Sequence, residues 1–216
     1  DKEFISNKGT KELQALLGKG IFDFPKPVAL VKLMATIGSN EDSIVLDFFS
    51  GSATTAHAVM QLNSEDGGSR RFIMVQIPEP TAQGSEALKA GYMNIADIGK
   101  ERIRRVGRQM RNESIGVDIG FRLLKIDTSN MVDLFYAPDA LEKPNLDLFV
   151  DNIKPDRTPE DLLFQVMLDW GVDLALPIDK QTIQGKDVFL VDGNALAACF
   201  DGHGGVDEAF VKELAK

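Results

Sequence analysis

Residues 44–59, IVLDFFSGSATTAHAV, contain an acidic residue, two phenylalanines and then a stretch of small and hydroxyl-bearing residues. Asp47 ends a short apolar run, and residues 50–55 (SGSATT) lead into a segment with the apolar spacing of a helix. This order predicts a buried strand, a tight turn and the start of a helix. Such a turn places backbone N–H groups at the carboxyl edge of a sheet, where open α/β folds bind ligands.

Three kinds of ligand suit a turn of this type, and the residues argue against two of them. A phosphate-binding loop needs a lysine after its glycines, and residues 45–62 contain no lysine. A dinucleotide fingerprint needs three spaced glycines, and only Gly51 is present. The third ligand joins an amino-acid moiety to a nucleoside, because the hydroxyls can donate to its carboxylate and Asp47 can accept from its ammonium group. The turn therefore favours S-adenosylmethionine, and a capped turn without a ligand is the alternative.

Two prolines stiffen the chain before this turn, in the segment FDFPKP at residues 22–27. Each proline disfavours helix at the residue before it, so the segment is predicted to be extended. Pro27 is then predicted to be the first residue of a helix. The segment is either a stiff helix entry or a ligand wall, with a phenylalanine against a flat ring and Lys26 near an acidic group.

Further elements are predicted after the turn. Residues 70–77 (RRFIMVQI) form a second, parallel strand that is buried on both faces. Residues 121–127 (FRLLKID) form a third strand that ends in Asp127. The helix over residues 95–110 has one apolar face, and we expect its basic residues to be solvated; contact with a nucleic-acid backbone is the alternative. These basic residues are Lys100, Arg102, Arg104, Arg105, Arg108 and Arg111.

The charge of the chain changes along its length. Residues 1–127 carry 17 Lys/Arg and 16 Asp/Glu, whereas residues 128–216 carry 7 and 17. The acidic second part does not favour contact with DNA, whose phosphates are negative. We therefore predict two domains, a cofactor-binding part over residues 1–130 and an acidic α+β extension over residues 131–216.

Local signals predict three elements in the acidic part. Thr158-Pro159 begins a helix, because threonine is a good cap and proline suits the first helical position. Residues 188–200 form a β-hairpin with Asp-Gly at the turn, which is typical of type I′. Residues 206–215 form a last amphipathic helix.

Composition excludes several classes of protein. A single cysteine excludes an internal disulfide framework, and Cys199 lies in an apolar run that is typical of a buried thiol. One cysteine and two histidines do not form a zinc site. Neither His57 nor His203 has a neighbouring nucleophile, which disfavours a hydrolase. The chain has no apolar run long enough to span a membrane and no secretory signal, and it does not begin with Met, so we expect a trimmed sequence.

The two motifs around the turn resemble a known family. FDFPKPVALVKLM followed by VLDFFSGSATTAHAV is similar to motifs X and I of β-class DNA amino-methyltransferases. The downstream segments DGGSRRFIMVQIPEP, IADIGKERIRRV, DIGFRLLKIDTSN and PIDKQTIQGKDVFLVDGNAL are similar to the modification subunit of type III restriction–modification systems. The resemblance covers nearly the whole chain and implies transfer of a methyl group from S-adenosylmethionine to adenine N6, after the base is flipped out of duplex DNA.

The resemblance also implies which residues line the cofactor pocket. Two positions depart from the family pattern: Gln76 stands where an acid commonly holds the ribose, with Glu79 as a possible substitute, and Ala53 replaces the second glycine of GSGTT. We expect Ala53 to adopt an ordinary backbone conformation. The implied cofactor-binding residues are Phe22, Asp23, Lys26, Pro27, Asp47, Phe48, Ser50, Gly51, Ser52, Thr54, Thr55, Gln76 and Asp127.

The catalytic motif of the family, [DNS]-P-P-[YFW], does not occur in the sequence. We therefore predict no catalytic residue in this chain and no activity of the chain alone, and we interpret it as the carboxyl-terminal part of the enzyme. The expected fold is an incomplete three-layer, Rossmann-like α/β methyltransferase core with a small α+β extension. The target stays open between adenine and cytosine.

The resemblance implies the partners of the whole protein. These are double-stranded DNA, a second copy of the chain and a helicase–nuclease restriction subunit, with no membrane contact and a cytoplasmic location. A different class of function stays open for the acidic part, which shows no chemistry of its own. The alternative is therefore a non-catalytic module that dimerises or docks the restriction subunit.

Overall fold

The fold comes from a computed structural model that describes residues 6–113, 118–132, 152–201 and 206–215. The chain divides into two compact units, with the boundary between Phe121 and Arg122. Each unit has a separate apolar cluster and a separate sheet, so each is described by itself.

The first unit consists of five helices and two strands among the described residues. Its elements are α1 (Ser6–Leu17), α2 (Val28–Gly38), β1 (Ile44–Asp47), α3 (Thr54–Asp66), β2 (Arg71–Met74), α4 (Glu86–Lys89) and α5 (Ile95–Glu113). The short helix α4 lies where the sequence composition indicates only a loop. Its amino end is capped by Ser85, whose side chain accepts from the backbone N–H of Leu88.

The strand–helix–strand unit predicted from the sequence is confirmed. β1 and β2 pair in parallel, with Ile44 opposite Arg71 and Asp47 opposite Met74. α3 connects them, as a parallel pair requires a crossover. The helix packs tightly because its small residues Ala56 and Ala58 are completely buried. This connection places the ends of both strands beside the amino end of α3.

The predictions that β1 is a buried strand and that β2 is buried on both faces are wrong for the described structure. Residues alternate along both strands between half-buried and exposed. Ile44 is 52% exposed and Ile73 is 49% exposed, although both are apolar. Only the face toward α3 is covered by described residues, whereas parallel sheets are normally covered on both.

Two helices determine how the turn after β1 is supported. α5 contributes Ile103, Val106 and Met110 to the cluster beneath the turn. α2 begins directly after Pro27, whose extended conformation (φ −63°, ψ 134°) makes it the capping residue rather than the first helical residue. The side chain of Glu12 on α1 satisfies the first turn of α2, because it accepts from the N–H of Val28 at 3.0 Å.

The third strand predicted over residues 121–127 is absent, since these residues form no strand in the described structure. Ile126 is 97% exposed, so the apolar pattern of this segment does not bury it. A strand also needs a partner for its N–H and C=O groups. The described contacts here are made by side chains instead: Arg122 donates to the carbonyls of Leu174 and Leu176 and stacks over Phe164.

The second unit is built from a capped helix and a three-stranded antiparallel sheet. Its elements are α6 (Pro159–Asp169), β3 (Ile178–Ile183), β4 (Lys186–Val191), β5 (Leu196–Ala198) and α7 (Glu208–Leu214). α6 begins as predicted, with a capping box in which Thr158 and Asp161 satisfy each other's backbone N–H groups. Leu163 and Met167 of this helix pack against Phe189 and Val191 of the sheet.

The predicted hairpin is confirmed and forms part of a larger meander. Asp192 and Gly193 both have positive φ (49° and 73°), as the Asp-Gly signal indicates. β3 was not predicted, because its residues are mostly polar and exposed. It pairs with β4 across a two-residue turn at Gln184-Gly185, where both φ values are again positive.

The contacts of residues 122–130 explain why the boundary between the units precedes the one drawn from charge. Asn130 donates to Asp161 and Gln165 of α6, and Lys154 donates to Thr128. These residues therefore belong with the acidic part. His203 lies outside the described residues, and no described helix is long and apolar enough to cross a membrane.

Replacement of methionine by alanine should destabilise the first unit much more at a buried position than at an exposed one. Met60 is 3% exposed and Met34 is 61% exposed. Met60→Ala should lower the free energy of unfolding by about 2–5 kcal/mol, since it removes a packed side chain. Met34→Ala is the matched control and should change it by less than about 0.5 kcal/mol. Urea unfolding measures both, and equal effects would contradict the described core.

Candidate functional site

The turn between β1 and α3 is held in one conformation by its own backbone. The N–H of Ser50 donates to Val75 O at 3.2 Å, and that of Ala53 donates to Ser50 O at 2.7 Å. Gly51 has φ 51° and Ala53 has φ 57°, so both are left-handed. The expectation of an ordinary conformation at Ala53 is therefore wrong. The tight turn requires a left-handed residue there, and glycine is the residue that adopts it without strain.

Asp47 stabilises the start of α3 from the end of β1. Its Oδ2 accepts from Thr55 Oγ1 at 2.6 Å, and its Oδ1 accepts from the N–H of Phe49 at 3.3 Å. Asp47 is half-buried, and its assignment to the floor of a cofactor site stays a prediction. Asp47 and Thr55 thus act together to fix the first turn of the helix against the strand.

Gln76 links the end of β2 to the turn. Its Oε1 accepts from the N–H of Gly51 at 2.6 Å, and its Nε2 donates to Ile77 O at 3.0 Å. An acid at this position could accept from Gly51 but could not donate to a carbonyl while ionised. The amide therefore suits a role in shaping the turn, and contact with a ribose stays a prediction.

The FDFPKP segment meets the turn through one aromatic ring. A Cβ built on Gly51 would lie 3.2 Å from Phe22 Cζ, so the ring packs directly against this glycine. Pro27 is buried, whereas Asp23 and Lys26 are exposed. The structure thus brings together the two sequence motifs that lie on either side of α2.

Ser52 and Thr54 are buried, and their hydroxyls accept hydrogen bonds from Arg102, a residue predicted from the sequence to be solvated. Ser52 is 2% exposed and Thr54 is 6% exposed. Arg102 Nη1 donates to Ser52 Oγ at 3.0 Å, to Ser52 O at 3.3 Å and to Thr54 Oγ1 at 2.7 Å. Both hydroxyls accept from Arg102, so they hold the turn from beneath.

The prediction that the basic residues of α5 are solvated is wrong for Arg102, which is 1% exposed. A signal for this burial was present in the sequence. Arg102 lies four residues after Ile98 and four before Val106, so it shares the apolar face of the helix. Lys100 forms a local ion pair with Asp97 at 2.6 Å. Arg105 pairs with Glu101 on the same helix and also donates to Leu16 O of α1 at 2.6 Å.

Burial changes the protonation behaviour of His57 and Arg102. Arg102 Nε donates to His57 Nδ1 at 3.4 Å, which assigns the proton of His57 to Nε2. Burial, and secondarily the charge of Arg102, lowers the pKa of His57 to about 3, so the ring is neutral at pH 7. Burial also lowers the pKa of Arg102 to about 10, which leaves it charged at pH 7.

The remaining predicted site residues are distributed over both units. Phe48 is 64% exposed and Ser50 is half-buried, both beside the turn. Asp127 belongs to the second unit, where it accepts from the N–H of Thr128 at 2.8 Å and lies 3.9 Å from Arg157. These contacts, that of Thr128 first, lower the pKa of Asp127. Its assignment to the adenine edge of a cofactor stays a prediction.

Comparison with known proteins identifies the family of the chain that contains this turn. The profile of a DNA methylase family matches residues 2–126, which include the turn, the FDFPKP segment and α5. The chain belongs to the DNA methylase family. This match confirms the family indicated by the two sequence motifs.

Individual relatives of this chain include modification subunits. The type III restriction-modification enzyme StyLTI Mod subunit of Salmonella typhimurium is 47% identical over 126 residues, which are 57% of this chain and 19% of the relative. The EcoPI Mod subunit of Escherichia phage P1 is 34% identical over 194 residues, which are 88% of this chain and 29% of the relative. A third type III Mod subunit, from Escherichia coli, is 35% identical over 188 residues, 85% of this chain and 28% of the relative.

The lowered pKa of His57 predicts a loss of stability at mildly acidic pH. Below pH 6.5 the unfolded histidine takes up a proton that the folded one takes up only near pH 3, so stability falls as pH drops through this range. Between pH 7 and pH 5 the contribution of His57 is on the order of 2 kcal/mol. His57→Asn, which keeps an acceptor for Arg102, should remove this contribution.

Urea unfolding followed by circular dichroism at pH 7 and pH 5 measures this effect. His203→Asn is the control, because it changes the only other histidine of the chain. An equal dependence on pH in wild type and His57→Asn would show that the folded chain does not hold His57 in its neutral form.

Proposed function

We propose that this chain carries the S-adenosylmethionine-binding part of a type III modification methyltransferase that methylates adenine N6 in DNA. The family match and the Mod-subunit relatives support this proposal. They also favour it over the alternative of a non-catalytic docking module. The chain spans 19% to 29% of the length of these relatives. The activity, the adenine target and the partners are therefore proposed for the whole protein.

The contact between Phe22 and Gly51 is the observation that carries the proposal. The ring and the turn come from two motifs that are separated in sequence by α2, yet they pack directly together. A site for a nucleoside with an amino-acid moiety needs an apolar surface for the ring and polar groups for the charged end. The FDFPKP segment supplies the first and the turn supplies the second.

Most of the proposed cofactor residues divide into two groups by the role proposed for them. The first group would contact the cofactor directly. It consists of Phe22, Asp23, Lys26, Phe48 and Ser50. The second group would shape the turn through hydrogen bonds. It consists of Asp47, Gly51, Ser52, Thr54, Thr55 and Gln76.

S-adenosylmethionine, when bound, supplies a methyl group on a positively charged sulfur. The residues of this chain would orient it without taking part in the transfer. The amino end of α3 is suited to the carboxylate of the cofactor, because the helix dipole is positive there. Lys26 would add a positive charge to the site, and Asp47 a negative charge beside the first turn of α3.

We propose that the first unit is part of a three-layer, Rossmann-like fold. The parallel pair with its α3 crossover supports this, since such units build open α/β sheets. The uncovered sheet face, with Ile44 and Ile73 exposed, is suited to receive a second layer of helices. Further proposed partners are double-stranded DNA, a second copy of the chain and a restriction subunit, which agree with the Mod-subunit relatives.

Removal of the Asp47 carboxylate should weaken cofactor binding. Asp47→Ala loses both the acceptor for Thr55 and a charge at the floor of the site, so the affinity for S-adenosylmethionine should fall about 10- to 100-fold. Isothermal titration calorimetry measures this change. Asp42→Ala is the matched control, because Asp42 is an exposed acid at the opposite end of β1 and should not alter the affinity. Unchanged affinity in Asp47→Ala would contradict the proposed pocket.

The chain alone should transfer no methyl groups, because its sequence contains no [DNS]-P-P-[YFW] motif to hold the target base. The measurement is incorporation of labelled methyl from S-adenosylmethionine into DNA of mixed sequence. The expected result is incorporation equal to that of a control without protein. Clear turnover would show that another segment of this chain performs the catalytic role.

A further inference from the structure

Arg102 is a residue of the first unit that takes no part in the proposed cofactor contacts. It lies on α5, far in sequence from the turn, and is 1% exposed. Its guanidinium reaches Ser52, Thr54 and His57, the last at 3.4 Å. One side chain thus connects the turn to the first turn of α3.

The backbone of α5 lies very close to the turn at Gly99. A Cβ built on Gly99 would lie 3.2 Å from Gly51 O and 3.4 Å from Ala53 Cβ. Gly99 is buried one turn before Arg102. A larger residue at this position would push the helix away from the turn, and Arg102 would then lose its reach to Ser52 and Thr54.

The charge of Arg102 is not compensated by a carboxylate at ion-pair distance among the described residues. Burial of a cation without a carboxylate in direct contact is unfavourable, and a cation near the amino end of a helix opposes the helix dipole. Burial lowers the pKa of Arg102, whereas the more distant carboxylate of Glu12 acts in the opposite direction and so offsets part of this cost. Hydrogen bonds to the hydroxyls of Ser52 and Thr54 offset part of this cost. The presence of a guanidinium at this unfavourable position indicates that the turn requires the geometry of its hydrogen bonds.

We propose that Arg102 is a positioning residue that holds the turn at residues 50–55 in the conformation that receives S-adenosylmethionine. The identity of the ligand as S-adenosylmethionine rests on the proposed function. Arg102 does not touch the cofactor but acts through Ser52, Thr54 and the left-handed Ala53 between them. The contacts to Ser52 and Thr54 come from Nη1, whereas the contact to His57 comes from Nε. The guanidinium therefore joins the turn and α3 through two nitrogens held in one plane, which the single nitrogen of a lysine ammonium does not offer.

Amide hydrogen exchange followed by nuclear magnetic resonance tests the geometric part without any ligand. In Arg102→Lys, the amide of Ala53 should exchange about 10- to 100-fold faster than in wild type, because the hydrogen bonds that support its turn are lost. The amide of Val106, in the middle of α5, should exchange at an unchanged rate. Arg108→Lys is the matched control, since Arg108 is exposed on the same helix.

Two outcomes would overturn the proposal. The first is an unchanged rate at Ala53 in Arg102→Lys. The second is an equal acceleration at Ala53 and Val106, because this would show a general loss of stability rather than a loosened turn. Arg102→Met, which also removes the charge, should accelerate Ala53 at least as much as Arg102→Lys, and a smaller effect would contradict the role of the fork.

Calorimetry with S-adenosylmethionine separates this proposal from the proposed function. Arg102→Lys should weaken binding about tenfold or more while Arg108→Lys binds as wild type does. Equal binding by wild type and Arg102→Lys would overturn the positioning role. If wild type binds no cofactor and Ala53 still exchanges faster in Arg102→Lys, Arg102 positions the turn and the proposed ligand is wrong.

Discussion

The burial of one guanidinium against the amino end of a helix constrains the first unit of this protein. Arg102 crosses from α5 to the turn and donates to Ser52 and Thr54, so α5 and α3 cannot shift independently. Gly99 permits the close approach that this reach requires. The cluster of Ala56, Met60, Ile103 and Val106 then fills the space between the two helices.

Elements with a local signal could be predicted from the sequence. α6 follows from Thr158 and Pro159, because a cap and a proline at the first position act within one turn. The hairpin at Asp192-Gly193 follows from two residues that tolerate positive φ. The turn after Asp47 follows from small residues between an apolar run and a helical pattern. In each case the deciding interaction lies within a few residues of the signal.

Features that depend on distant contacts could not be predicted in the same way. Residues 121–127 have the composition of a strand but pair with none of the described strands, whereas Ile178–Ile183 is polar and pairs with β4. Strand pairing is decided by neighbours in space, which composition does not reveal. Arg102 was grouped with its charged neighbours, although its spacing from Ile98 and Val106 places it on the buried face.

The methyl group of Ala53 ties the turn to the hydrophobic core. Ala53 is 2% exposed and packs in the same cluster as Met60 and Met110. Its left-handed backbone costs about 1–2 kcal/mol, and burial of the methyl offsets about 0.8 kcal/mol of this cost. A loop that shares a residue with the core does not fluctuate freely in the absence of a ligand. If the turn receives the proposed cofactor, its site is therefore preorganised: the ligand would meet an ordered surface and lose little affinity to the ordering of the loop.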